Sequence, residues 1–156
     1  MYQIKSAAVI GAGTMGLGIA GQLANAGIDV LLLDIPAAGD NRNAVCERAL
    51  ERLLDESQPG LLHTDMLARI TIGNIEDDMA RLAEVDWIAE AVVERLDIKK
   101  DLYQRIDAVR KQGSIVSSNT STIPISLLVE DMPDSFCQEF AITHFFNPVR
   151  YMRLLE

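Results

Sequence analysis

Apolar residues along this chain come in short runs separated by helical stripes. Ala7–Ile10 is one such run, ending on Gly11, after which Met15, Ile19 and Leu23 recur at the four-residue spacing of one helical face. Gly27 is placed to cap that helix, and a second apolar run, Asp29–Leu33, stops at Asp34 and Pro36. Two buried runs joined by one helix form a βαβ unit, whose strands must be parallel. The alternation continues. Asp40 or Asn41 is expected to cap a helix carrying Val45, Ala49 and Leu53 and ending near Gln58-Pro59-Gly60. Ile70–Ile72 reads as a short strand stopped by Gly73-Asn74, and Val85–Val93 as a longer one. Asp97 is expected to cap a helix with Ile98, Leu102, Ile106 and Val109 facing inward, closed by Gly113. Ser114–Ser118 is a strand, Pro124 opens a short helix, and Ala141–Phe146 and Tyr151–Leu155 read as two final strands. Residues 58–68 carry no clear pattern. The sum is an open, doubly wound α/β sheet, mostly parallel, with helices on both faces and its ligands at the carboxyl ends of the strands.

Composition narrows the classes. The 156 residues are 49% hydrophobic and 24% charged, enough chain for one domain with one core and too apolar for a disordered segment. No apolar run approaches the roughly 20 residues of a membrane span. Residues 7–33 come nearest, but glycines, Asn25 and Asp29 interrupt them, and no cleavable signal architecture precedes them. Cys46 and Cys137 cannot build a disulfide framework and suit a reducing, cytoplasmic setting. The net charge of −9 argues against nucleic acid as a partner. Its distribution is uneven: residues 1–90 carry 6 Lys/Arg against 14 Asp/Glu, and residues 91–156 carry 8 against 9. An anionic ligand must then be held locally, by backbone N–H groups or a few placed cations. No metal site is expected.

The segment Gly11-Ala12-Gly13-Thr14-Met15-Gly16 has the spacing of a dinucleotide-binding turn, and its context strengthens it: a strand before, a helix after, and Asp34 at the end of the next strand. Gly11 permits the tight turn, Gly13 lets backbone approach a pyrophosphate, and Gly16 lets the helix pack against the sheet. The helix N-terminus adds unpaired N–H groups and partial positive charge. Asp34, 23 residues beyond Gly11, is placed to accept hydrogen bonds from ribose hydroxyls and to repel a 2′-phosphate. No Arg or Lys follows at 35–38, which favours NAD over NADP. The fold class is therefore Rossmann-like.

Three further segments accompany the glycine loop: Glu90-Ala-Val-Val-Glu94 with Lys99, Ser118-Asn-Thr-Ser121, and His144-Phe-Phe-Asn-Pro148 with Glu156. Together they resemble the NAD-binding domain of the L-3-hydroxyacyl-CoA dehydrogenases of fatty acid β-oxidation, from about residue 5 to the last residue. The resemblance implies oxidation of the 3-hydroxyl of an acyl-CoA substrate, with hydride passing to NAD. It makes His144 the general base and Glu156 its carboxylate partner, and places Ser121 and Asn147 at the hydroxyacyl group and nicotinamide. It places Ala91, Val92, Val93, Glu94, Lys99 and Asn119 along the dinucleotide site, with Gly11, Gly13, Thr14, Met15 and Gly16 in the glycine loop. The chemistry needs such a set. Hydride leaves C3 only as the hydroxyl proton is removed, imidazole titrates in the right range, and a carboxylate on its other nitrogen fixes the tautomer.

Taken singly, these residues have structural readings too. Glu94 and Lys99 read as solvated charges, Asn147-Pro148 as a turn, and Ser-Asn-Thr-Ser as a strand end. His63, Trp87, Phe145, Phe146 and both cysteines read as structural residues. The resemblance further implies a C-terminal helical domain, absent from these 156 residues, that covers the substrate and supplies dimer contacts. The chain alone is thus expected to bind cofactor without full activity, and the whole protein to be a homodimer or part of a multifunctional complex. Residues 35–41, Ile-Pro-Ala-Ala-Gly-Asp-Asn, differ from the commoner, more polar family form and suggest a divergent or fused branch. Alternative readings are an NAD-binding module without turnover, or a dehydrogenase of a small hydroxy acid on the same scaffold.

Overall fold

Short apolar runs with no polar alternation have both faces to bury, and a parallel sheet is the arrangement that buries them. The computed structural model describes residues 3–55 and 59–156. It contains six strands: β1 (Ser6–Ile10), β2 (Asp29–Asp34), β3 (Ile70–Asn74), β4 (Trp87–Glu90), β5 (Ile115–Ser118) and β6 (Phe140–Ile142). Their order is β3-β2-β1-β4-β5-β6, and every neighbouring pair is parallel. The order reverses between β1 and β4, so a crevice opens beyond their carboxyl ends.

Residues alternate between two cores. Ala7, Val9, Val30 and Leu32 point to one face, where they meet Ile19, Ala20 and Leu23 of α1 (Thr14–Asn25) and Cys46, Ala49 and Leu53 of α2 (Ala44–Leu53). Ala8, Ile10, Leu31 and Leu33 point to the other. There they meet Leu102, Tyr103 and Ile106 of α3 (Leu96–Asp107), Leu128 of α4 (Ile125–Leu128) and Phe136 of α5 (Asp134–Gln138). Helices cover both faces, as the pattern requires. Gly27 has φ +84°, the left-handed conformation that ends α1.

Several boundaries differ from the sequence expectation, each for a local reason. α2 begins at Ala44, not after Asp40 or Asn41; Asn41 instead reaches forward to Glu47 (2.7 Å). It ends at Leu53, and the expected end at Gln58 lies outside the described residues. In place of a strand over Val85–Val93, pairing covers only Trp87–Glu90, because the Glu90 carboxylate captures the Val92 N–H (2.7 Å) and turns the chain out of the sheet. α3 starts after Arg95; Asp97 sits in its first turn, paired with Arg95 (2.5 Å). Ile98 is consequently 37% exposed, not inward-facing, and Lys99 takes the buried position. α3 ends at Asp107, six residues before Gly113. The patternless stretch includes a 3-10 segment, Thr64–Arg69. The final strand is Phe140–Ile142, and Tyr151–Leu155 is not a strand. The N–H groups of Tyr151 and Met152 both donate to the Pro148 carbonyl (3.0 and 3.1 Å), forming a turn, and only Leu155 bridges back to Phe145.

Candidate active site

The glycine loop is fixed from three sides. Gly11 donates its N–H to the Leu33 carbonyl (2.7 Å) and has φ +107°, where a Cβ would lie 2.5 Å from the Ala91 oxygen. A Cβ on Gly16 would lie 1.8 Å from the Gly11 oxygen. Both glycines are required by the folded chain itself. Gly13 is different: a Cβ there meets nothing within 4 Å, so its bareness matters only to something that approaches the loop from outside. Asp34 accepts the Ala12 N–H on one carboxylate oxygen (2.5 Å) and the Ile35 N–H on the other (2.6 Å). From the far side, Arg52 donates to the Ala12 carbonyl (2.8 Å). The α1 N-terminus has neither a side-chain cap nor an acidic residue in its first turn, leaving its positive end to a bound anion.

Two clefts flank this loop. One, of about 380 Å³ and largely apolar, is lined by Gly11, Gly13, Asp34, Ile35, Val93 and Ile98 among others, which suits a flat base with its ribose against a carboxylate. The other, of about 350 Å³, brings together Met15, Ala91, Val92, Glu94, Lys99, Asn119, Ser121, His144 and Asn147, with Phe145 and Phe146. Val93 thus lies in the first cleft, and Thr14 lines neither; it faces a groove beside Leu17 and Arg52. An open glycine cradle between an apolar cleft and a polar one fits a dinucleotide.

His144 stands at the wall of the polar cleft. Its Nδ1 lies 3.2 Å from Glu156 Oε2, and the backbones of the two residues exchange both hydrogen bonds (2.8 and 3.2 Å). The imidazole also packs against Phe146, with ring centroids 4.5 Å apart. Asn119 uses its side-chain oxygen to hold the Phe145 N–H (2.9 Å), so it anchors the His144 segment as well as lining the cleft. Trp87 Nε1 donates to the Ser117 hydroxyl (2.9 Å), which is 2.8 Å from the hydroxyl of Thr143, the residue before His144.

Beneath the cleft lies a polar network that sequence reasoning missed. Glu90 is completely buried. Its Oε1 accepts from Val92 N–H (2.7 Å) and Lys99 Nζ (2.6 Å), and its Oε2 from the hydroxyls of Tyr103 and Ser118 (both 2.6 Å). Lys99, 1% exposed, is no solvated charge; it also lies 3.4 Å from Glu94. Burial by itself would raise the Glu94 carboxyl, but hydrogen bonds from Thr120 and Thr122 and the Lys99 charge outweigh it and hold the group below its usual range. Burial, and then the negative charge of Glu90, push the Tyr103 phenol far above its ordinary range. A usable signal did exist: Glu90 is the one charged residue at the end of the apolar run Trp87-Ile-Ala-Glu, and Lys99 falls on the inward stripe of α3. Arg52 gave no such sign, because its contact crosses 40 residues.

Residues 6–156 match the family described as the 3-hydroxyacyl-CoA dehydrogenase NAD-binding domain. The chain belongs to that family. Its cofactor is accordingly NAD. A probable 3-hydroxyacyl-CoA dehydrogenase of Deinococcus radiodurans is 48% identical over 156 residues, covering 99% of this chain and 45% of that protein. A putative fatty acid oxidation complex trifunctional enzyme of Rickettsia felis is 45% identical, covering 99% of this chain and 22% of that one. Among solved structures, 3-hydroxybutyryl-CoA dehydrogenase from Escherichia coli K12 superposes with a TM-score of 0.83 at 33% identity, over 99% of this chain and 32% of that chain. The chain thus spans less than half the length of these relatives.

Proposed function

We propose that this domain serves an enzyme that oxidises the 3-hydroxyl of an L-3-hydroxyacyl-CoA to the 3-oxoacyl-CoA. One observation carries the reading: the His144–Glu156 pair borders the same cleft as Ser121 and Asn147, adjoining a loop built for a dinucleotide. When bound, NAD supplies the hydride acceptor. The protein supplies the rest. His144 takes the hydroxyl proton on Nε2, while Glu156, facing Nδ1, fixes the tautomer and stabilises the imidazolium. Ser121 and Asn147 donate hydrogen bonds to the substrate oxygen as its charge changes, and Phe145 and Phe146 keep water from the cleft wall. Asp34 takes the adenosine ribose, the Gly13 backbone and the α1 N-terminus take the pyrophosphate, and Glu94, Lys99, Asn119 and Met15 line the nicotinamide side.

In the whole protein a helical domain closes over this cleft, within a homodimer or a multifunctional assembly of the cytoplasm. The exposed apolar side chains of Tyr151, Met152, Leu154 and Leu155 support such a cover. Among the described residues no helix is long and apolar enough to cross a membrane. The test is NADH oxidation with acetoacetyl-CoA, run on these 156 residues and on a form extended to the length of the relatives. Turnover is expected only in the extended form. Turnover of free 3-oxo acids but not of CoA thioesters would replace the substrate assignment.

A further inference from the structure

The structure assigns Glu90 a positioning role for the cofactor cleft, a role that rests on the NAD reading above and deepens it. Glu90 ends β4 at the point where the sheet order reverses, and all four acceptor sites of its carboxylate are filled by donors from three different elements. Two of these donors belong to residues that themselves line the cleft. The Val92 N–H sets the turn of the 91–94 loop, and the Lys99 ammonium is held at 2.6 Å against α3's inner face. The Glu90 carbonyl also accepts the Asn119 N–H (2.8 Å), placing a third cleft residue. Among the described residues, the charged or titratable groups facing Lys99 are Glu90 from β4 and Glu94 from the following loop. Tyr103 reaches it only through Glu90, and His144 with Glu156 stands across the cleft.

Lys99 uses two of its three N–H groups on Glu90 and Glu94, leaving the third for a ligand in the cleft. A buried ammonium needs a partner charge to offset its lost hydration, and Glu94, at 3.4 Å and 41% exposed, is a weaker partner than buried Glu90 at 2.6 Å. Glu90 therefore does two things at once: it fixes where Lys99 sits and sets a buried negative charge against its ammonium.

The replacement Glu90→Gln isolates the charge. A glutamine oxygen can still accept from Val92 and Lys99, while its amide donates to the Tyr103 and Ser118 hydroxyls, which rotate to accept. Calorimetric titration of NAD into the chain is the measurement. Glu90→Gln is expected to bind about 10-fold more weakly than wild type. Tyr103→Phe removes one donor and no charge, and should stay within about 2-fold of wild type while still lowering Tm. If Glu90→Gln does not fold, the neutral pair Glu90→Gln/Lys99→Met is compared with Lys99→Met, and equal affinities are expected. The inference is overturned by wild-type affinity in Glu90→Gln, by an equal loss in Tyr103→Phe, or by a further loss in the neutral pair. A wild-type chain that binds no NAD overturns the cofactor reading along with it.

Discussion

His144 and Glu156 are joined at three points: N–H to carbonyl in both directions, at 2.8 and 3.2 Å, and Nδ1 to carboxylate at 3.2 Å. The backbone pair fixes where the carboxylate can stand, so the side-chain contact does not depend on a long free rotamer. In a form of the protein long enough to turn over, His144→Ala should lower kcat by about 10²–10⁴-fold. Glu156→Gln should lower it by up to about 10⁴-fold through the wrong tautomer. Both should leave NAD affinity within about 2-fold, since neither residue holds the dinucleotide. Steady-state kinetics beside a cofactor titration separates the two quantities, and near-normal turnover in His144→Ala would remove the base from this account.

The glycine loop predicts a contrast between two identical substitutions. Gly16→Ala drives a methyl into the Gly11 carbonyl at 1.8 Å, a backbone atom that cannot step aside. A loss of about 3 kcal/mol or more in stability is expected, with NAD binding lost too. Gly13→Ala meets open space. Its stability should stay within about 0.5 kcal/mol of wild type while NAD affinity falls by at least about 10-fold. Thermal melts with and without NAD read both; a Gly13→Ala chain that gains as much Tm from NAD as wild type would show that no phosphate approaches this backbone.

Asp34 has a double duty that separates it from an ordinary ribose ligand. Asp34→Ala leaves the Ala12 N–H without its 2.5 Å partner, so the loop loosens before any cofactor arrives. Expected are a stability loss of about 1–2 kcal/mol in the free protein and an NAD affinity lower by about 10-fold or more. Asp34→Asn keeps one acceptor for a backbone N–H and should recover part of the stability. Equal stability of Asp34→Ala and wild type would confine Asp34 to the ligand.

Acid should weaken the fold through Asp86, at the opposite end of the sheet. Its carboxylate holds Lys111 (2.5 Å) and the N–H groups of Lys5 and Ser6 (2.8 and 3.1 Å), and these contacts, Lys111 first, lower its pKa far below the usual carboxylate range. A depressed folded-state pKa gives stability that is fully present above the unfolded value, about 4, and is lost as pH falls from there toward the folded value. Asp86→Asn should therefore be less stable than wild type by about 1–3 kcal/mol at pH 7, with the gap closing at pH 2–3. Urea titrations across that range check the sign; a gap independent of pH would rule out the ion pair as its source.

What could be read from the chain alone follows from how local each cause is. The βαβ unit and its glycine loop were legible because strand, turn, helix and acid lie within residues 7–34 and each step leaves a mark on residue type. The 144–148 segment was legible by resemblance, and the structure gathers it with Ser121, Asn119 and Lys99 around one cleft. Boundaries were not legible where a side chain captures a backbone group. Nothing in Val85–Val93 announces that Glu90 will seize the Val92 N–H, and nothing in Tyr151–Leu155 announces that Pro148 will accept two N–H groups. Lys99 was singled out by resemblance, but its burial was not, because its partner lies nine residues back on another element.

The chain has a single tryptophan, and its indole hydrogen-bonds through Ser117 to the residue next to His144. Excited at the red edge of indole absorption, where the three tyrosines do not absorb, fluorescence is thus a one-tryptophan signal. A change in emission maximum or lifetime reports on the β4–β5 seam and the segment leading to the imidazole, with no second tryptophan to unmix. Because that emission overlaps the absorption of the reduced dihydronicotinamide ring, quenching on adding NADH offers an optical titration of cofactor docking with no label attached.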